Sequence, residues 1–334
     1  MSDIVSFYLP DRDALGDLDA ATLDPDRDCD LIATGLYIWI LQTFLRLRSS
    51  GSPVRLDEAP PVSGTVVSHV EYVERLLAEA PSPAELFIVS PRMDRGPQLL
   101  ADVEVVQNAS SVGPYQVFIP HWLQPGLIPR DPARGARVET VTFMGNRQSL
   151  HDDLASPAWP DLLSERGLFW DSRMVTFERN DQLQSGHRWN DYSSVDVVVA
   201  LRPRSAWPAS GKPASKLVNA WAAGVPAILG PEVPYRELRR SPLDYLEVES
   251  AADILTALER LRASPGLYAE MVTNGLERAL EFQHDRLIAH WTDLLWREVP
   301  ARARTYRHRV LARRRGHRAM ARRVRWRASS MLRR

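Results

Sequence analysis

The sequence predicts an α/β protein made of two tandem Rossmann-like domains. Short apolar runs rich in β-branched residues alternate with segments of helical periodicity, which is typical of parallel sheets covered by helices. A proline-rich passage at residues 114–132 divides this alternation into two series. With 334 residues the chain is long enough for two such domains. We expect them at residues 1–132 and 133–300, followed by a tail at residues 301–334.

The first series contains six predicted strands and two predicted helices. Each strand is a short, largely apolar run, and each helix shows apolar residues at helical spacing. The strands are expected at residues 4–9, 54–56, 65–68, 85–90, 103–107 and 115–120, and the helices at residues 31–48 and 70–79.

The second series begins with a strand at residues 138–145 and two short helical stretches at 150–154 and 160–166. An apolar run at residues 195–201 predicts a fully buried strand. It is followed by a polar loop with Gly211, and then by a helix from Ser215 to Gly224, because glycine commonly ends helices. The remaining elements are strands at residues 227–229 and 244–248 and helices at residues 251–263, 267–282 and 285–297.

The composition is that of an ordinary globular protein, with 44% hydrophobic and 25% charged residues. The single cysteine, Cys29, excludes an internal disulfide. The most apolar stretch, residues 31–45, is too short to span a bilayer. The N-terminus lacks the basic start and the cleavage site of a signal peptide. We therefore expect a cytoplasmic protein.

The net charge of zero hides a strong asymmetry between the body and the tail. Residues 301–334 contain 14 arginines and no carboxylate, so residues 1–300 hold 28 basic against 42 acidic side chains, a net charge of −14. Aliphatic and aromatic residues of the tail fall roughly on one helical face, which favours an anionic membrane surface as its partner. A solvated or partner-bound tail is an alternative. Nucleic acid is disfavoured, because aromatic side chains for base stacking are sparse.

The chain contains only two lysines, Lys212 and Lys216, against 40 arginines. Where arginine is the default cation, a lysine indicates that a compact ammonium group is needed rather than a planar guanidinium. Lys212 lies in the loop between a buried strand and a helix, and Lys216 lies at the start of that helix. The N-terminus of such a helix binds anions through its free N–H groups and its dipole. The alternative is an ordinary βαβ unit with two surface lysines.

The same run resembles a known family. The sequence Lys-Pro-Ala-Ser-Lys-Leu-Val-Asn-Ala-Trp-Ala-Ala-Gly-Val-Pro-Ala-Ile, residues 212–228, is similar to the nucleotide-sugar-binding segment of GT-B glycosyltransferases. The resemblance implies two Rossmann-like domains with the ligand between them. It also implies that the nucleotide sugar is bound at Lys212, Pro213, Ser215, Lys216 and Leu217, with Lys212, Ser215 and Lys216 holding the diphosphate. Asn219 stands at the family's acidic position, where the side chain binds the ribose.

The resemblance extends more weakly over residues 141–296, and residues 118–131 are similar to uncharacterised bacterial glycosyltransferases. Gly145, Asn146 and Arg147 directly follow a predicted strand. In the family, this glycine loop lets the backbone approach the diphosphate, and glycine suits the position because it has no side chain. A plain turn from strand to helix is the alternative.

Several cofactor classes are disfavoured by motifs that the sequence lacks. No Gly-x-Gly-x-x-Gly follows a predicted strand, no phosphate-binding loop with Gly-Lys-Ser/Thr occurs, and no Cys/His cluster has zinc spacing. Alternating aspartates occur at residues 11–13 and 24–30, where a solvated acidic loop is favoured over a metal site. We therefore expect catalysis without a metal or another cofactor, with lysine and helix N-terminus offsetting the diphosphate charge.

Glycosyl transfer needs either a base for the acceptor hydroxyl or, with retention of configuration, stabilisation of the leaving phosphate. His69 follows a predicted strand of the first domain and is our first candidate for the base, because the pKa of histidine lies near neutrality. His121, in the proline-rich passage, is the second. A structural histidine is the alternative for both.

The sequence thus predicts a nucleotide-sugar-dependent glycosyltransferase of hexosyltransferase type. Its acceptor would be a polysaccharide or a lipid-linked glycan made at the inner membrane face. Two alternatives stay open: a nucleotide-sugar 2-epimerase with the same fold, and a non-catalytic protein that keeps the fold and acts as a scaffold through its basic tail.

Overall fold

Two separate parallel sheets form the framework of the protein. The computed structural model describes residues 4–303 except residues 33, 94, 176–187, 204 and 206–210. The first sheet has the order β2-β1-β3-β4-β5-β6, and every neighbouring pair in it is parallel. Its strands are β1 (Val5–Tyr8), β2 (Val54–Asp57), β3 (Gly64–Ser68), β4 (Leu86–Pro91), β5 (Val103–Val106) and β6 (Gln116–Phe118). All six predicted strands of the first series are confirmed.

The second sheet has the order β11-β10-β9-β7-β8, again with parallel pairing throughout. Its strands are β7 (Thr140–Asn146), β8 (Phe169–Val175), β9 (Val197–Ala200), β10 (Ala227–Leu229) and β11 (Leu246–Glu247). Strand β8 was not predicted. It is an edge strand in which Asp171, Ser172 and Arg173 interrupt the apolar pattern, so it lacks the continuous apolar run of a strand buried on both faces.

Helices cover the sheets, as expected for parallel strands. Those associated with the first sheet are α1 (Gln42–Ser49), which continues a π-helical turn at Tyr37–Leu41, and α2 (Val73–Glu79). Those after β7 are α3 (Asp152–Ala155), α4 (Ala158–Ser164), α5 (Ser215–Ala223), α6 (Val233–Leu238), α7 (Ala251–Ala263), α8 (Pro265–Ala279) and α9 (His284–Asp293), the last followed by a π-helical turn at Leu294–Glu298. The short helix α6 was not predicted.

The predicted end of helix α5 at Gly224 is confirmed. Gly224 has φ +69° and ψ 40°, a left-handed conformation that glycine adopts without a steric penalty. Its N–H points to the carbonyls of Ala220 and Trp221, and the N–H of Val225 donates to the carbonyl of Ala220 at 2.9 Å. This termination turns the chain directly into β10.

The passage between the sheets is anchored on both sides. The indole N–H of Trp122 donates to the hydroxyl of Thr43 at 2.8 Å, on the side of the first sheet. On the side of the second sheet, the fully buried carboxylate of Asp196 accepts from Arg130 and Arg134, at 2.7 Å in each ion pair. Helix α9 also returns to pack against α1. The passage is therefore a packed connection between the two sheets.

Each sheet has a topological switch point, where the order of successive strands reverses. The chain departs in opposite directions from β1 and β3 in the first sheet, and from β7 and β9 in the second. Ligands of open α/β sheets bind outside the carboxyl ends of the strands at such a point. The residues that follow β3, β7 and β9 are therefore the first place to look for a site.

Candidate active site between the sheets

Segments from both sheets meet around the loop that precedes helix α5. We call residues 211–214 the donor loop. Lys216, in the first turn of α5, lies against Gly145 at the end of β7. Backbone carbonyls of the donor loop accept hydrogen bonds from Gln107 and Asn108, which follow β5 of the other sheet. The carboxyl ends of the two sheets are thus joined at this loop.

The ammonium group of Lys216 is half-buried at the base of this arrangement. Its Nζ lies 5.9 Å from the centroid of the Phe143 ring. Burial lowers the pKa of Lys216 to about 8, and the charges of Arg202 and Lys212 lower it further while Glu232 raises it. A cation kept near its own titration point beside other cations is typical of an anion-binding site.

Gly145 lies next to this ammonium group. A Cβ atom at position 145 would lie 3.4 Å from Nζ of Lys216 and 3.2 Å from Cζ of Phe143. A side chain at position 145 would therefore press on the Phe143 ring and touch the lysine side chain at ordinary contact distance. The sequence predicted both residues for the donor site, and the structure brings them together.

Arg202 and Glu232 complete the charged cluster, and sequence analysis missed both. The guanidinium Nε of Arg202 donates to Oε2 of Glu232 at 2.8 Å, and the Glu232 side chain is 2% exposed. The other oxygen, Oε1, has no hydrogen-bond partner among the described residues. Arg202 follows β9 and Glu232 follows β10, so searching the residues just beyond each predicted strand would have found them.

The N-terminus of α5 offers backbone donors at the same place. Its N-cap residue, Ala214, has no side-chain hydrogen bond to the first turn. The N–H groups of Ser215, Lys216 and Leu217 lie in that first turn, where no intrahelical carbonyl is available to them. Leu217 itself is fully buried, so only its backbone faces the loop, and the half-buried Ser215 keeps its hydroxyl near the helix start.

The remaining predicted residues of the β7 loop occupy different environments. Asn146 caps the short 3₁₀ turn Arg147–Ser149, because its Oδ1 accepts from the N–H of Gln148 at 2.8 Å. The side chain of Arg147 is exposed and has no hydrogen bond or ion pair with the described part of the chain. Arg147 is therefore available to a ligand, whereas the Asn146 carbonyl holds the turn.

Asn219 is buried within α5 and is engaged by protein groups. Its Oδ1 accepts from the N–H of Gln124 at 3.1 Å, and its side chain also hydrogen-bonds the hydroxyl of Tyr192. These contacts tie α5 to the connection between the sheets. The predicted role of Asn219 in ribose binding stays a prediction.

His69 lies where it was expected, directly after β3, but it is buried and partnered. Its Nδ1 accepts from the N–H of Glu71 at 3.2 Å and caps the 3₁₀ turn Val70–Tyr72. Its Nε2 lies 2.8 Å from Sδ of Met93. Because Nδ1 accepts, the neutral ring carries its proton on Nε2. A base at Nε2 would therefore need the other tautomer, loss of the bond from Glu71 and movement of the Met93 side chain.

His121, the second candidate, lies in the connection between the sheets. Its ring packs edge-on against Trp39, with centroids 5.2 Å apart, and its Nδ1 contacts the carbonyl of Trp122. Burial lowers the pKa of His121 to about 4, so the ring is neutral at physiological pH. Its surroundings are those of a packed core histidine.

The acidic N-terminal loop contains no metal cluster in the described residues. No group of three or more His, Cys, Asp or Glu side chains with metal-binding geometry occurs within residues 4–303 as described. Asp26 instead pairs with both terminal nitrogens of Arg46, at 2.9 and 2.8 Å. In the same part of the chain, no helix combines the length and the apolar character that crossing a bilayer requires.

The chain is similar to solved structures of sugar-transferring enzymes. It matches the sucrose-phosphate synthase of Thermosynechococcus elongatus with a TM-score of 0.55 and 15% identity, covering 90% of this chain and 100% of that one. It matches AviGT4, a glycosyltransferase involved in avilamycin A biosynthesis, with a TM-score of 0.52 and 13% identity, covering 89% and 98%. It spans 58% of the length of TarM, at 9% identity and a TM-score of 0.47. No protein-family model and no curated protein sequence matches the chain.

These similarities, at such low identity, define the fold. The protein has the GT-B architecture, in which two Rossmann-like α/β units follow one another and face each other across their carboxyl ends. The predicted fold class is confirmed. The basic tail from residue 304 onward lies outside the described residues, and the domain limits at residues 132 and 300 stay predictions.

Proposed function

We propose that this protein is a glycosyltransferase that moves a hexosyl group from a nucleotide-sugar donor to an acceptor hydroxyl. The observation that carries the proposal is the half-buried ammonium of Lys216, set beside Arg202 at an uncapped helix N-terminus between two facing sheets. A diphosphate is a compact dianion or trianion, and this is the chemistry that such a cluster binds. The fold supports the same conclusion by analogy only.

The diphosphate of the donor would be held without a metal ion. Lys216 and Arg202 supply positive charge, and the N–H groups of the first turn of α5 supply directed donors. Lys212 precedes that turn, Ser215 begins it, and Gly145 lies beside the ammonium group. Arg147, exposed on the neighbouring loop, adds a fourth cation.

We assign Glu232 a role with the neutral part of the donor. Its Oε2 is bound to Arg202, and its buried Oε1 has no partner in the described residues. A buried carboxylate oxygen without a partner is costly, so a hydroxyl donor from the ligand would stabilise it. A sugar or ribose hydroxyl is the donor of that kind that a nucleotide sugar carries.

The chemical step we propose inverts the anomeric centre. Nε2 of His69 takes the proton of the acceptor hydroxyl, and the oxygen attacks the anomeric carbon as the bond between that carbon and the diphosphate breaks. The nucleoside diphosphate leaves with the charge that Lys216 and Arg202 stabilise. This role requires the tautomer with the proton on Nδ1, so the hydrogen bond from the N–H of Glu71 to Nδ1 must break, and the Met93 side chain must leave Nε2. A retaining enzyme would need no such base.

The acceptor we propose is a polysaccharide or lipid-linked glycan at the cytoplasmic face of a membrane. The support is the tail, whose 14 arginines are not offset by any carboxylate. Each arginine near an anionic leaflet contributes about 1 kcal/mol, within a Debye length of about 10 Å. The acidic body would be repelled by the same surface, so the tail would hold the protein at the membrane without burying it.

A panel of nucleoside diphosphates tests the proposal. UDP, GDP, dTDP and CDP are added to the full chain, and we expect one of them to raise the melting temperature, because binding to the folded state alone stabilises it. The matching nucleotide sugar should then be hydrolysed slowly without acceptor. Binding without any hydrolysis or transfer would favour the scaffold alternative. Conversion of the donor into its 2-epimer would favour the epimerase. The absence of any shift at millimolar nucleotide would contradict nucleotide binding altogether.

A further inference from the structure

Two neighbouring amide side chains of the first sheet reach across to the donor loop. Gln107 and Asn108 follow β5 and are 7% and 4% exposed. Nε2 of Gln107 donates to the carbonyl of Gly211 at 2.9 Å, and Nδ2 of Asn108 donates to the carbonyl of Lys212 at 2.8 Å. Each bond joins residues 104 positions apart in the chain. They connect the first sheet directly with the loop that opens α5.

Gln107 also reaches back into its own half of the molecule. Its Nε2 donates to the carbonyl of Met93 as well as to that of Gly211, so both amide protons are used. Met93 is a non-glycine residue with φ 56°, a left-handed conformation that is strained for a residue with a side chain and therefore needs outside support. The Met93 side chain covers Nε2 of His69. The side-chain amide of Gln107 thus links Met93, which lies against His69, to the donor loop.

We infer that Gln107 and Asn108 are positioning residues that hold the donor loop from the opposite sheet. The functional consequence is that the affinity for the donor depends on two residues that do not contact it. This consequence rests on the proposed function. The bonds are directed at backbone carbonyls, so they fix the path of the loop whatever its side chains are. They also orient the first turn of α5, since the loop leads straight into it.

The energetic scale of this arrangement is modest and measurable. A neutral intramolecular hydrogen bond contributes little net stability by itself, but both amide side chains are buried, so losing both bonds weakens the hold on the loop. The loop would then sample other conformations, and only the fraction in the bound-like conformation would bind the donor. We expect the dissociation constant of the nucleoside diphosphate to rise about three- to thirty-fold.

The test replaces both amides with apolar side chains of similar length, Gln107→Met with Asn108→Leu. Hydrogen–deuterium exchange of peptides that cover residues 211–217 is measured in the ligand-free full chain. We expect about three- to thirty-fold faster exchange there, with unchanged exchange in β9 and β10. UDP affinity, or that of whichever nucleoside diphosphate binds the wild type, is measured in parallel by calorimetry.

Gln98→Met is the matched control. Gln98 makes the same type of bond, from Nε2 to the carbonyl of Val70 at 2.9 Å, but inside the first sheet's own unit. This variant should leave exchange at residues 211–217 unchanged. If the double variant does not fold, the single variants Gln107→Met and Asn108→Leu carry the same measurement.

Two outcomes separate this inference from the proposed function. Unchanged exchange at residues 211–217 in the folded double variant overturns the inference, whatever the nucleotide result. Faster exchange in the double variant supports the inference even if no nucleoside diphosphate binds the wild type, in which case the proposed function alone fails.

Discussion

Replacing Lys216 with methionine removes the ammonium group while keeping an apolar chain of similar length. The contact with a diphosphate is a charge-assisted hydrogen bond, and removing one such contact costs about 1.5–3 kcal/mol. At about 1.4 kcal/mol per factor of ten, the dissociation constant of the nucleoside diphosphate should rise about ten- to a hundred-fold at pH 7.

The lowered pKa of Lys216 gives this prediction a second signature. With a pKa of about 8 in the free protein, about nine-tenths of the lysine is protonated at pH 7 and about one-tenth at pH 9. The diphosphate binds the protonated form of the lysine. Its own ionisation changes little over this range, because its last pKa is about 6 and it is already about nine-tenths ionised at pH 7. The wild-type dissociation constant should therefore rise about tenfold between pH 7 and pH 9.

Three variants separate charge, titration and packing in calorimetric titrations at pH 7, 8 and 9. Lys216→Arg keeps the charge without titrating, so its dissociation constant should be flat with pH. Lys216→Met should bind the nucleoside diphosphate weakly, and its dissociation constant should also be independent of pH. Arg260→Ala, which removes one exposed cation from α7 far along the chain, is the control and should behave like the wild type. Wild-type affinity in Lys216→Met would refute the assignment of the phosphate site.

The substitution Lys216→Met should also raise the thermal stability of the ligand-free protein at pH 7. The pKa of Lys216 in the folded protein, about 8, lies below its value of 10.5 in the unfolded chain. Burying the protonated lysine therefore lowers the free energy of unfolding at every pH below about 8, and this cost disappears as the pH rises from about 8 to 10.5. At pH 7 the ligand-free Lys216→Met protein should therefore melt above the wild type, and the difference should shrink at pH 10. A lower melting temperature at pH 7 would contradict the cost that we ascribe to burying the ammonium.

The other predictions concern the base, the tail and the ion pairs. His69→Ala should lower turnover about 10²–10⁴-fold with donor affinity near that of the wild type, and near-normal turnover in a purified variant would exclude it as the base. Truncation after Ala303 should abolish salt-sensitive sedimentation with anionic liposomes and spare nucleotide binding; full-length protein that ignores such liposomes at low salt would contradict the membrane proposal. Asp196→Asn should cost about 3–5 kcal/mol in chemical denaturation, because it leaves the buried Arg130 and the partly buried Arg134 without their carboxylate. Asp293→Asn in an exposed pair should cost under about 1 kcal/mol.

The local pattern of apolar residues was sufficient to predict most strands and helices of this protein. The strand at Ala227–Leu229 and the helix at Ala251–Ala263 were predicted with their observed limits, because a continuous apolar run and a 3.6-residue period are properties of the segment itself. The neighbourhood of Gly145 and Lys216 was also predictable, since both follow parallel strands whose carboxyl ends share one edge. The family resemblance pointed to the same residues.

Other features were decided by tertiary structure. Strand β8 is held by the edge of β7 rather than by its own composition. The pair of Arg202 and Glu232 forms between two loops, and the burial of His69 under Met93 depends on how the segments after β3 and β4 pack. The contacts of Gln107 and Asn108 with the donor loop require the two sheets to face each other at one particular distance. Periodicity indicates only which face of a segment is buried, so the sequence determined the strands and helices of the two sheets. The packing between the two sheets decided which side chains meet in the site.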